Sequence, residues 1–377
     1  MKLFEKTGRK RNKDIQKLMK EDGFDFLILT QPISFEYLIF TKVPFICIVS
    51  AKGDPFIFTH NDSVNLVKAE TWSSNVIGIY PYNIGISIKN NVEDDYIKRT
   101  IEYINSFNCT NKKIGLDFSN TPFNTVNTFS KNLNKYRIDD CNFLLSKIFS
   151  IKSKEECEII KKAAEIAELG VKKSKEYLEQ NYDKNLTENQ LASYAEYHMR
   201  KCNVDGFFVR SSVTSGKRSI LIGAVDSDKI IKEDEVVDVD YSPVYRRYFA
   251  DICRVLSAKG LNKKIKDRCK IVEEALDIAI DNIKPGVVAR DVDKKVKKYF
   301  ERMGADGEFI HHTGHPVGNW WGIMIISNSN AIIEEGMAFA LEPGLYNDKI
   351  GGIRIEDNIY VNKSGAENFM SLPRILY

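Results

Sequence analysis

EVVDVDYSPVYRRYFADICRVL, residues 235–256, reads as two short strands joined by a Ser-Pro break, with acids at positions that a strand would bury. Side chains alternate along a strand, so Asp238 and Asp240 share one face while Val237 and Val239 share the other. Proline cannot donate to a ladder, and Ser242-Pro243 ends the first strand. The second runs from Tyr248 to Leu256 and sets Phe249, Asp251, Cys253 and Val255 on one face. A hairpin of this length is expected to bring Asp240 and Asp251 side by side across its ladder.

A similar pattern recurs about a hundred residues on. MAFALEPGLY (337–346) returns through NDKI to GGIRIEDNIYV (351–361), and alternation places Gly352, Arg354, Glu356, Asn358 and Tyr360 on one face. Pro343-Gly344 stops the first strand directly after Glu342, so Glu342 and Glu356 are expected to face each other as the aspartates do. Each hairpin follows a helical stretch that ends in an Asp-Gly turn and an aromatic: NLTENQLASYAEYHMRKCNVDGFF (185–208) and VVARDVDKKVKKYFERMGADGEF (287–309). The counterparts are offset by similar amounts, 342 − 240 = 102 and 356 − 251 = 105. A duplicated α/β half facing its twin would gather four carboxylates at its centre.

Four carboxylates between apolar strands repel one another, and a bare buried charge is prohibitive, so they must be protonated or bind cations. Divalent metal is the less costly solution. FIHHTGHPVG (309–318) supplies three of the chain's five histidines, and His315, between Gly314 and Pro316, has little competing bulk. One imidazole with four carboxylates suits manganese, iron, cobalt or zinc. Taken singly, each acid would be read as a surface residue; the paired spacing argues for a common site.

Outward from this region the texture changes near Ile151. SKEECEIIKKAAEIAELGVKKSKEYLEQ (153–180) is helical in its apolar spacing, and Ser153 with Glu156 forms the pattern of a capping box. This sets a domain boundary at 147–152, giving domains 1–150 and 151–377. Before it, FDFLILT (24–30), FICIVS (45–50), PFIFT (55–59), VIGIY (76–80) and KIGLD (113–117) alternate with helical stretches, which predicts an α/β domain with a mostly parallel sheet.

The charge balance, 55 basic against 52 acidic residues, creates no long-range field for nucleic acid or an anionic membrane. RKRNK (9–13), the one basic cluster, reads as a solvated helix start. Seven cysteines, an odd number without a CxxC pair, argue against a disulfide framework and against a cysteine zinc site. No run approaches 18 apolar residues and MKLFEKTGRKRNK lacks the apolar core of a secretory signal, so the cytoplasm is the expected compartment.

The strings DVDYSPVYRRYFADICR, TGHPVG, GMAFALEPGLY and GGIRIEDNIYV, in this order and at these separations, resemble the pita-bread metallopeptidases: prolidase and aminopeptidase P, with methionine aminopeptidase and creatinase as relatives. Residues 13–150 resemble the creatinase-type N-terminal domain of that family, and IKSKEECEIIKKAAEIA (151–167) resembles the helix opening its catalytic domain. The resemblance implies an α/β (α+β) architecture, a pita-bread catalytic domain with an internal pseudo-twofold repeat, and a homodimer. It also implies that Asp240 binds one of two divalent ions, that His315 and Glu342 bind the other, and that Asp251 and Glu356 bridge them. Glu342 is then the general base toward a metal-activated water, and a dipeptide or small amide-like molecule is the substrate.

Two family histidines are missing. SGKRSILIGAV (215–225) has Ile222 or Gly223, and GNWWGIM (318–324) has Gly322, where the resemblance leads one to expect histidine. Candidate substrate contacts are His311, His312, Trp320, Trp321 and Arg354, an indole face being able to hold an ammonium or guanidinium group. Arg354 is also placed to pair with a metal-site acid. Arg210 and Arg218 flank the region lacking histidine and are candidates for anion binding. The loss of the histidines keeps two further readings open: a creatinase-like or lyase-like enzyme acting on a small non-peptide zwitterion, and a non-catalytic member of the family.

Overall fold

A computed structural model describes residues 2–79, 92–107, 109, 111–209 and 211–376. The chain divides into two compact units, Met1–Phe149 and Ser150–Tyr377.

Within the first unit the described residues form a six-stranded sheet. From one edge to the other its strands are Val76–Ile79, Phe56–His60, Ile46–Ser50, Phe26–Leu29, Lys113–Leu116 and Arg137–Asp140. The sheet is mixed: Phe26–Leu29 pairs antiparallel with Ile46–Ser50, which pairs antiparallel with Phe56–His60, and the other three pairings are parallel. A parallel link needs a long crossover, whereas the few residues between Ser50 and Phe56 allow only a hairpin. Phe26–Leu29 is apolar at every position because both of its faces are covered, with Phe26, Ile28, Ile114 and Leu116 packing on Ile97, Ile104, Phe129 and Leu133. Tyr80, the last residue of the VIGIY run, lies outside the described residues.

The second unit opens with the 28-residue helix Lys154–Asn181, capped as its sequence predicts: Ser153 Oγ accepts from Glu156 N, and the Glu156 carboxylate accepts from Ser153 N. The duplication is visible in the backbone. Thr187, at the start of helix Glu188–Arg200, bridges Ile230, and Val288, at the start of helix Ala289–Arg302, bridges Ile332. Each helix precedes an antiparallel set: Ser212–Ser215 with Val237–Tyr241 and Ile252–Leu256 in the first half, Gly314–Pro316 with Ala338–Leu341 and Asp357–Asn362 in the second. One buried acid in each half ties down the segment ahead of its strands. Glu188 accepts from Ser215 N (2.7 Å), Ser215 Oγ (2.9 Å), Arg218 Nε (2.9 Å) and Ser227 Oγ (2.7 Å). Asp293 accepts from Thr313 Oγ1 (2.7 Å), Ser327 Oγ (2.5 Å) and Lys297 Nζ (2.9 Å). Arg218, a candidate for binding an external anion, thus already has an internal one; Arg210 lies outside the described residues.

The two sheets meet where Cys253 bridges Glu356 and Phe249 bridges Gly318. No helix among the described residues is long and apolar enough to cross a membrane, and all seven cysteines are unpaired.

Candidate metal centre

All five acids and histidines singled out from the sequence come together where the halves meet, although not in the register expected for the first hairpin. Asp240 lies opposite Cys253, and Tyr248–Phe249 and Ile252–Leu256 are separate strands. Asp251 occupies the gap between them, diagonal to Asp240 on the same face. Its backbone is held by one side chain: Asp251 N donates to Asn358 Oδ1 (2.9 Å), and Asn358 Nδ2 donates to Asp251 O. The second hairpin is interrupted in both strands at the same level, so Leu341 pairs with Asp357, Gly344 pairs with Arg354, and Glu342 and Glu356 face each other across the break.

His315 projects from the strand Gly314–Pro316. Its Nδ1 lies 3.1 Å from Pro316 O, and a carbonyl only accepts, so Nδ1 carries the proton and Nε2 is turned to the acids. That nitrogen is 3.5 Å from Glu356 Oε1, 3.6 Å from Glu342 Oε1 and 3.7 Å from Asp251 Oδ2. Asp251 Oδ1 and Glu356 Oε1 are buried without a hydrogen bond among the described residues. Hard oxygen donors with no proton donor to satisfy them, spaced around one imidazole, fit a divalent cation. The ligand atoms of Asp251, His315 and Glu356 form one group of suitable size, and those of His311, His312 and Glu342 form another.

The electrostatics express the same demand. Burial first, then the charges of Glu356, Asp240 and Glu342, hold Asp251 well above the usual carboxylate range. Burial with Glu342 and Asp240 raises Glu356 to about 7. For His315 burial acts downward but is outweighed by Glu356 and Glu342, which lift it to about 9. Glu342 is also buried, yet the His312 imidazole beside it and the charges of His315 and Arg354 bring it down to about 2. The cluster therefore takes up positive charge wherever it can.

Arg354 clamps the open side. Its Nη2 donates to Asp240 Oδ2 (2.5 Å), its Nη1 to Tyr346 Oη (3.2 Å), and its Nε lies 3.9 Å from Glu342 Oε2. Tyr346 Oη is in turn 2.9 Å from His311 Nε2, and His311 Nδ1 is 2.8 Å from His312 O. The carbonyl requires His311 Nδ1 to be protonated. Burial pushes His311 down to about 4 and keeps it neutral, so Nε2 accepts from the Tyr346 hydroxyl. Behind the site, fully buried Arg254 donates to Glu356 O (2.5 Å), Cys253 O (3.0 Å) and Asp357 Oδ1 (2.7 Å).

A cleft of about 260 Å³ opens over the acids, with Leu221, Ile222, Val209 and Trp320 as its apolar wall and His312, His315 and Arg354 among its polar groups. Trp320 is 42% exposed; its ring stacks on Phe208 at 5.2 Å and lies 5.3 Å from that of His315. Trp321 is buried and does not line the cleft, and His311 stands behind it with both ring nitrogens engaged. Sequence reading missed Asn358, Tyr346 and Arg254 as partners of the site. For Asn358 there was a signal, its place in the same-face row as Arg354 and Glu356.

Comparison with known proteins identifies the family of the chain. Residues 158–363 match the model of metallopeptidase family M24, and residues 11–148 match that of the creatinase/prolidase N-terminal domain. The chain is 28% identical over 379 residues to a Xaa-Pro dipeptidase of Pyrococcus furiosus, covering 98% of this chain and 99% of the relative. It is 31% identical over 268 residues to a Xaa-Pro dipeptidase of Pyrococcus horikoshii, covering 70% and 75%. Among solved structures, an X-Pro aminopeptidase from Thermotoga maritima superposes with a TM-score of 0.79 at 25% identity, over 94% of this chain and 97% of that one.

Proposed function

Because the chain belongs to metallopeptidase family M24, we propose that it is a metal-dependent hydrolase whose Asp240, Asp251, His315, Glu342 and Glu356 hold two divalent cations, and that it cleaves a dipeptide or a small amide-like compound. The observation that carries this reading is the set of acid oxygens converging on His315 Nε2, with Glu356 Oε1 among them, and the other Asp251 oxygen, Oδ1, buried without a hydrogen bond among the described residues. Bound divalent ions supply Lewis acidity at the scissile carbonyl and a water made acidic enough to attack it. The chain's own residues do the rest. Pro316 O fixes the His315 tautomer, Asn358 fixes Asp251, and Arg354 holds Asp240. Glu342, ionised at the cleft floor, accepts the proton of the attacking water as general base. The apolar wall of Val209, Leu221, Ile222 and Trp320 takes an apolar side chain of the substrate and limits access of bulk water.

One observation favours a second reading, a creatinase-like or lyase-like reaction on a small non-peptide zwitterion. Where the resemblance leads one to expect histidine the chain has Ile222 or Gly223, the latter with φ +73 and nothing within 4 Å of an added Cβ, and Gly322, where a Cβ would meet Pro316 Cβ at 2.7 Å. The wall that would steady a peptide carbonyl thus carries no imidazole at either position, with Gly322 crowded by Pro316, and the Trp320 indole offers a face for a cationic group.

Metal content of the purified protein, followed by turnover of Xaa-Pro dipeptides, longer Xaa-Pro peptides and small guanidino or ammonium compounds, tests both readings. Dipeptide hydrolysis that needs manganese or cobalt is the expected result. Bound metal with turnover only of the small cations would transfer the conclusion to the second reading, and failure to take up any divalent metal would end both.

A further inference from the structure

The metal centre read above uses a single imidazole. A second one stands at its edge. His312 Nε2 lies 2.7 Å from Glu342 Oε1, the same oxygen that is 3.6 Å from His315 Nε2, and the two imidazole rings are 5.9 Å apart. The side chain is 28% exposed and lines the cleft, yet its Nε2 atom is buried and makes no hydrogen bond of acceptable geometry among the described residues. A ring nitrogen and a carboxylate oxygen at this separation, with the N–H direction not aimed at the oxygen, are disposed as two ligands of one cation are.

The neighbouring His311 cannot take this part. Its Nδ1–H is given to His312 O and its Nε2 accepts from Tyr346 Oη. Both engagements hold the backbone of His312 in place, through a chain that runs from Asp240 through Arg354 and Tyr346 to His311. The same connections that hold Asp240 therefore also fix the position from which the His312 ring reaches Glu342.

We propose that His312 is a further metal ligand, donating Nε2 to the cation held by His315 and Glu342, so that this ion has two nitrogen donors while its partner at Asp240 has oxygen donors alone. The assignment rests on the dinuclear reading and adds to it a difference between the two ions. Imidazole nitrogen strengthens binding of cobalt and zinc far more than of manganese, which is satisfied by carboxylate oxygens. The His312 side should therefore select cobalt or zinc and the Asp240 side should tolerate manganese.

The test is metal titration of the full chain and of its His312→Ala, His312→Gln and His315→Ala variants, following Co(II) and Mn(II) by calorimetry and the Co(II) complex by visible absorption, with far-UV circular dichroism to confirm folding. In the wild type, two Co(II) ions of unequal affinity are expected. Both His312 variants should weaken one of them by at least about tenfold, the order seen when even supporting groups of a metal site are removed. They should also change its ligand-field spectrum and leave Mn(II) binding within about threefold, because the lost donor is nitrogen. Equal weakening of Co(II) and Mn(II) with an unaltered spectrum would make His312 only a prop for Glu342 and overturn the proposal. Unchanged titrations would overturn it too, with the dinuclear reading intact. A wild type that takes up no metal, like His315→Ala, would overturn both.

Discussion

Asn358 and Arg354 do different work on the two aspartates. Asn358 is fully buried and holds the backbone of Asp251 by both its N–H and its carbonyl, in the gap where the strand itself is interrupted. Replacing it with alanine leaves both groups unpaired in a dry site, a loss of about 2 kcal/mol; the midpoint of urea unfolding checks this, and metal affinity should fall with it. Arg354 holds Asp240 by its side chain and is charged and buried, so Arg354→Ala should cost more, about 3 kcal/mol, by leaving the Asp240 carboxylate, and Asp238 beneath it, without their cation. Arg354→Lys restores charge but not the simultaneous reach to Asp240 and Tyr346, and should recover less than half of the loss. Alternation along 351–361 made the common face of Arg354, Glu356 and Asn358 legible in the sequence. That Asn358 reaches Asp251 was not, because the contact joins strands 107 positions apart.

At the scale of elements, the pairing of acids was legible where the chain is locally regular. Glu342 and Glu356 face each other because both strands of their hairpin break at the same level, which Pro343 announces. The first hairpin departs from expectation because Ala250-Asp251 leaves the ladder, placing Cys253 rather than Asp251 opposite Asp240. In the N-terminal unit, apolar runs mark the strands but say nothing of their direction, and Arg137–Asp140, RIDD, lacks an apolar run. The buried acid Glu188 is an element-scale feature: it fastens the segment 215–227, which carries the Leu221 and Ile222 part of the cleft wall, to the start of its helix. Glu188→Ala should destabilise the protein by about 3 kcal/mol. Lys162→Ala, which removes an exposed pair with Glu165, should change stability by less than about 0.5 kcal/mol. Thermal or denaturant melts of the two variants side by side provide the comparison.

For the molecule as a whole, the acid cluster makes stability depend on pH in a direction set by its raised proton affinities. Glu356 and Asp238 both protonate at about 7 in the folded chain, Asp238 because it is buried with Asp240 beside it. In the unfolded chain they protonate at about 4, so between these values the folded state holds more protons and stability falls as pH rises. His315, raised to about 9, contributes in full below its unfolded value of about 6.5 and loses that contribution as pH approaches 9. Glu342 acts in the opposite sense only below about 4.3, outside this window, and His311, held down to about 4, opposes the decline up to its unfolded value of about 6.5 without outweighing the two carboxyls. The unfolding temperature of the chelator-treated protein should therefore decline from pH 5 to pH 9. Saturating divalent metal should flatten or reverse that decline, since the ion replaces the protons it displaces.

The crowding of Gly322 by Pro316 has a consequence for the order in which this sequence can change. A histidine introduced at 322 alone would drive its first side-chain carbon into a proline ring fixed within the strand beside His315, so the intermediate protein would be damaged before it gained anything. Only after Pro316 has given way to a smaller residue does the second substitution become permissible, and a laboratory selection for stronger peptide cleavage should find the two changes in that sequence or not at all.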